Sequence, residues 1–132
     1  MILLDTNILI DLDLYEFDPA NEYACSMLSR AELEFGAQQE AVNAHGSKRR
    51  ARLAECDRWF EWLPFDRAAS AGYGFVASHA RTVTGARLRN KDALIAGQAY
   101  SLGYPVMTRN VDDFAPFVPL IGLVAPVLRT DT

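Results

Sequence analysis

Four acidic side chains have positions from which they could do chemistry together. Asp5 ends the apolar run Ile2-Leu3-Leu4. Glu32 lies in Ser29-Arg30-Ala31-Glu32. Asp92 opens the apolar-rich stretch Lys91-Asp92-Ala93-Leu94-Ile95. Asp113 follows Thr108-Arg109-Asn110-Val111-Asp112. Each also has an ordinary structural use. Ser29 with Glu32 has the spacing of a capping box. Asp92 in a first helical turn would complement the helix dipole, and Asp112 or Asp113 could cap a turn. Drawn to one place, however, four carboxylates would repel one another, and some would stay protonated without a cation. Carboxylate and water oxygens suit a hard divalent ion, Mg²⁺ or Mn²⁺. Other chemistries find no footing. Neither His45 nor His79 stands in zinc-ligand spacing, and His79 reads as a packing or surface residue. There is no glycine-rich phosphate loop and no Ser-His-Asp or Cys-His constellation.

Short strands separated by helices would position such a set. Ile2–Leu4, Tyr23–Met27, Leu63–Asp66, Pro105–Thr108 and Leu120–Val124 read as strands. Between them, helical patterns start at Thr6 or Asn7, run from Ser29 to about Gln39, and cover 47–62, 67–83 and 91–102. Leu53, Cys56, Trp59, Phe60 and Leu63 recur at helical steps, which predicts core packing for Trp59 and Trp62 rather than base stacking. Gly103 reads as a C-terminal cap. The alternation predicts βαβ units, hence a three-layer α/β/α fold around a parallel sheet of about five short strands. In such sheets ligands collect at the carboxyl ends of the strands, where Asp5 falls.

The 132 residues fit one domain spanning 1–132, with half hydrophobic and 23% charged, the balance of a folded globular chain. No apolar run reaches the ~20 residues of a membrane helix, and the start lacks a basic signal region. We therefore expect a cytosolic (cytoplasmic) protein with no membrane partner, and reduced, buried Cys25 and Cys56. The net charge of −4 argues against a protein that coats nucleic acid, but its distribution is uneven. Residues 1–40 hold nine acids and one base, and residues 41–109 hold eleven bases and five acids. This arrangement could set a metal-binding pocket beside a phosphate-binding rim. The run Lys48–Arg52 reads equally well as a solvated helix face.

The stretches "LLDTNILID", "SRAELEFGA" and "KDALIAGQAYSLGYPVMTRNVDDF", followed by a last short strand, resemble the PIN-domain ribonucleases. In particular they are similar to the small single-domain VapC-type toxins of bacterial toxin–antitoxin pairs. The resemblance runs in order over essentially the whole chain. It implies a catalytic acidic set of Asp5, Glu32, Asp92 and Asp113, with Asp5 and Asp92 on the metal. Asn110, counted with this catalytic set, stands where many members carry an acid and can offer a carbonyl oxygen but no charge, so Asp113 is expected to supply the remaining charge while Asp112 points outward. Asn7 and Thr108 match polar positions that orient ligands or water. Arg87, Arg89, Lys91 and Arg109 flank the acids and are candidates for holding RNA.

The implied activity is Mg²⁺-dependent hydrolysis (Mn²⁺ may substitute) of an RNA phosphodiester, leaving a 5′-phosphate and a 3′-hydroxyl, with a tRNA or rRNA loop as substrate. The implied partners are a small VapB-like antitoxin, inserting a basic side chain, and a second copy in a homodimer. Two rivals stand beside this reading. An aspartate-based phosphatase of the haloacid-dehalogenase pattern would need an aspartate at position 7, where Asn7 stands. A non-catalytic PIN-like RNA- or protein-binding module would be expected to lose two or more of the acids.

Overall fold

The computed structural model describes residues 1–39, 46–85 and 87–130; His45 lies outside them. Five strands form one parallel sheet in the order β4-β3-β1-β5-β6, from β1 (Ile2–Leu4), β3 (Tyr23–Ser26), β4 (Glu61–Leu63), β5 (Val106–Met107) and β6 (Leu123–Val124). Both faces of the sheet are covered, as the unbroken apolar run of β1 requires. Leu3 points into a core with α4 (Arg67–Thr84) and α5 (Asn90–Leu102), around Val76, Ala96, Phe114 and Phe117. Ile2 and Leu4 point the other way, into a core with Ile8, Leu33, Leu53 and Cys56 from α1 (Thr6–Ile10), α2 (Met27–Gln38) and α3 (Gly46–Trp59). This is the three-layer α/β/α arrangement expected.

Glycines bring α4 and α5 together. A Cβ on Gly72 would lie 2.3 Å from the Gly97 carbonyl oxygen, and one on Gly97 would lie 2.3 Å from Tyr73 Cα. Backbone cannot yield to that overlap, so only glycine permits this crossing. Gly85 (φ 64°) and Gly103 (φ 70°) end the two helices in the left-handed conformation that glycine adopts without strain.

Several boundaries differ from the sequence reading. The helix expected over 47–62 stops at Trp59, and Trp62 and Leu63 belong to β4. Trp62 packs on the second core, but Trp59 is 72% exposed and takes no part in it. The second strand ends at Ser26, whose hydroxyl caps α2 by accepting from the Leu28 amide at 3.0 Å. Ser29 is therefore inside the helix, and the capping box with Glu32 does not form. Asp5, rather than Thr6 or Asn7, caps α1. A small antiparallel pair, β2 (Tyr15–Glu16) with β7 (Val127–Leu128), was not anticipated. Cys25 and Cys56 are free and buried, and burial raises both thiols, Cys56 to about 11. No helix among the described residues is long and apolar enough to cross a membrane.

Candidate metal centre

β1 sits between β3 and β5, so the segments leaving these three strands meet at one edge of the sheet. Asp5 leaves β1 and is 7% exposed. One carboxylate oxygen, Oδ1, accepts from the Thr6 amide at 2.8 Å. The other, Oδ2, accepts from the Thr108 hydroxyl at 2.9 Å. Burial raises the Asp5 carboxyl pKa, the two hydrogen bonds oppose the rise, and the charges of Glu32 and Asp113 add to it. Neighbouring carboxylates therefore act on it from both α2 and α6 (Val111–Phe114).

Thr108, fully buried at the end of β5, is the hub of this edge. Besides donating to Asp5, its hydroxyl accepts from Asn7 Nδ2 at 3.3 Å and from the Asn110 amide at 3.1 Å. Asn7 Oδ1 in turn accepts from the Arg109 amide at 3.2 Å. Asn7 and Thr108 are thus joined to each other, and Thr108 to Asp5, by hydrogen bonds.

Glu32 projects from α2 toward Thr6, whose hydroxyl lies 3.1 Å from Glu32 Oε1 and 2.9 Å from Ser29 Oγ. With α2 capped by Ser26, Glu32 is not needed for helix capping. Thr6 and Ser29 are buried members of this network that the sequence reading took only for caps. Only the pairing of β1 with β3 brings them together.

Asp92 stands in the first turn of α5. Its Oδ2 is buried and has no hydrogen-bond partner among the described residues. Burial, then the charges of Asp5 and Asp113, push its carboxyl up to about 6, against an opposing pull from Arg89. A carboxylate that served only the helix dipole would gain nothing by holding an unpaired oxygen out of water. Asp113 is half-buried and acts on both Asp5 and Asp92, while Asp112 on the same short helix is exposed. Asn110 is exposed and its side chain does not cap α6; its backbone amide makes the contact to Thr108.

The basic candidates divide. Lys91 Nζ lies 3.3 Å from Glu32, Arg89 lies 3.8 Å from Asp113, and Arg109 binds Asp11. Arg87 lines a separate cleft with Arg81.

Among the described residues, no three His, Cys, Asp or Glu side chains are gathered as a ready-made ligand cluster. The acids are within electrostatic reach of one another without closing on one point. That looseness suits Mg²⁺, which keeps several waters and takes one or two protein carboxylates. The unpartnered Asp92 Oδ2, on a carboxyl that feels the Asp5 charge, is an oxygen that could serve as a ligand to such an ion.

No family model and no curated protein matches the sequence. Solved structures do. The chain is similar to VapBC-5 from Mycobacterium tuberculosis, a member of the VapBC family of toxin–antitoxin systems, at 27% identity and a TM-score of 0.76, with 95% of this chain and 96% of that one covered. VapBC2 from Rickettsia felis, bound to a DNA fragment from its promoter, gives 22% identity and a TM-score of 0.76 over 96% and 99%. FitAcB from Neisseria gonorrhoeae gives 25% and 0.70 over 93% and 96%.

Proposed function

From a chain with the PIN-like fold of the VapC-type toxins, whose motifs its own resemble, we propose a metal-dependent endoribonuclease toxin held in check by a small antitoxin. The observation that carries the reading is the orphaned Asp92 Oδ2, on a carboxyl that feels the charges of Asp5, Asp113 and Glu32. Like charges gathered around an unsatisfied buried oxygen support a bound cation there.

Asp5 and Asp92 would hold the ion, with Glu32 and Asp113 adding negative field. Mg²⁺ or Mn²⁺, when bound, supplies polarisation of a phosphoryl oxygen and acidifies a water for in-line attack. The rest is done by the chain. Thr108 fixes the rotamer of Asp5 through one hydrogen bond and is itself fixed by Asn7. Thr6 does the same for Glu32. Arg89 and Lys91, both with 75% exposed side chains, stand at the rim on acids they can exchange for a phosphate. The same acidic pocket favours a basic side chain from an antitoxin, which would compete with the cation.

The test is cleavage of a single-stranded RNA with Mg²⁺, with Mn²⁺ and with a chelator, alongside Asp5→Ala. Cleavage that needs the metal and is lost in Asp5→Ala is expected. Cleavage that persists in both the chelator and the variant would overturn the assignment.

A further inference from the structure

A basic cleft lies away from the acids. Helix α4 ends at Gly85, and the chain returns through Arg87-Leu88-Arg89 to begin α5. Between α4 and this return is a cavity of about 660 Å³. Its floor includes the half-buried Tyr73 and Leu88, which pack on the core, and its rim carries Ser78, Arg81, Arg87 and Asn90. No carboxylate lines it.

The two arginines differ from the other bases near the site. Arg89, Lys91 and Arg109 are each paired with an acid, whereas neither Arg81 nor Arg87 has an acidic partner among the described residues. Two guanidinium groups lining one cleft repel, and a chain of net charge −4 has acids to spare for them. Leaving both free around a carboxylate-free cavity favours an anionic occupant.

The connection to the acids is short. Leu88 is anchored in the core, so Arg87 and Arg89 leave the backbone on either side of it. Arg87 faces the cleft and Arg89 faces Asp113. In extended chain two residues span about 6.6 Å, the scale of successive phosphates on a nucleic-acid strand. Asn90 at the rim and Asp92 in the acidic pocket also share the first turn of α5.

We propose that the cleft walled by Arg81 and Arg87 binds backbone phosphates of the RNA strand next to the phosphate held at the acidic pocket. The inference rests on the ribonuclease reading and extends it. The cleft fixes the strand's path by charge, without reading bases.

The test is binding of a fluorescently labelled single-stranded oligoribonucleotide, followed by anisotropy over a range of salt, in an Asp5→Asn background that blocks cleavage. Arg81→Gln and Arg87→Gln should each weaken binding several-fold and lower the slope of log affinity against log salt by about 0.7, one phosphate contact on a single strand. Arg81→Lys should keep the slope. Arg67→Gln, at the opposite end of α4, should behave as the parent. Unchanged slopes in both glutamine variants, or a parent that does not bind the strand, would overturn the proposal. Cleavage by the unmodified protein is scored separately. Metal-dependent cleavage with unchanged slopes removes the cleft and leaves the nuclease, whereas lowered slopes without cleavage keep the cleft and remove the nuclease.

Discussion

Asp92→Asn should make the metal-free protein more stable and the metal-loaded protein less stable than the parent. Burial and the charges of Asp5 and Asp113 raise the Asp92 carboxyl from 3.8 to about 6, so the folded state holds this proton more tightly than the unfolded chain. The raised value fixes the sign. Below pH 3.8 the group is protonated in both states and there is no penalty. The penalty grows as pH rises toward about 6 and is complete above it. At full weight the displacement equals about 3 kcal/mol. The side chain is only half-buried and water screens it, so about 1 kcal/mol is the expected gain from removing the charge at pH 8. For a chain of this size that is a rise in Tm of about 3–5 °C.

Metal reverses the order. A cation at roughly a hundredfold its Kd stabilises the parent by about 2.7 kcal/mol, and the variant, without the Asp92 charge, should gain little. Thermal unfolding of both proteins in chelator and in excess Mn²⁺, at pH 4 and pH 8, gives the full comparison. The curves should cross on adding metal at pH 8, and in chelator the gap should close at pH 4. A variant less stable than the parent by the same amount in every condition would refute the reasoning, because Asp92 would then be a structural hydrogen-bonding group.

Other substitutions separate the remaining roles. Asp113→Asn should weaken Mg²⁺ or Mn²⁺ binding measured by titration, and Asp112→Asn should leave it unchanged, since only Asp113 acts on Asp5 and Asp92. Glu32→Gln should unfold within ~0.5 kcal/mol of the parent, because Ser26 caps α2, yet lose most of its metal-dependent cleavage rate. Thr108→Val should cost about 1–3 kcal/mol in denaturant unfolding by stripping Asp5 and Asn7 of a partner, and should lower cleavage; Thr108→Ser should restore both.

The order of strands and helices was legible because apolar runs and helical periods are local properties of the chain. So was the placing of Asp5, Asp92 and Asp113, each fixed by a neighbouring strand end or helix start. Boundaries failed where two signals overlapped. Trp59 continues the helical spacing of Leu53 and Cys56, but the chain leaves the helix at Phe60 to form β4, and the indole is left in solvent. Ser26 and Ser29 both have cap chemistry, and only the register of β3 against β1 decides between them. The β2–β7 pair is two residues long on each side, too short to show a period. Thr6 joins Ser29 and Glu32, both more than twenty residues away in sequence, and Arg81 and Arg87 line one cleft only because the chain turns back after α4 at Gly85. Contacts of that kind belong to the packed chain.

How the fold carries concentrated carboxylates follows from where its bases stand. Lys91 rests on Glu32, and Arg89 on Asp113, the two acids placed outermost around Asp5 and Asp92. Both basic side chains are largely exposed, so these pairs add little to stability and break at small cost. They lower the repulsion among the outer acids and leave the inner pair, Asp5 and Asp92, for the ion proposed above. An arriving phosphate would then find Arg89 and Lys91 at the pocket and Arg87 one step further out, in the order in which a strand would meet them. On the proposed reading, the bases that pair with the outer acids are thus also placed to hold a phosphate.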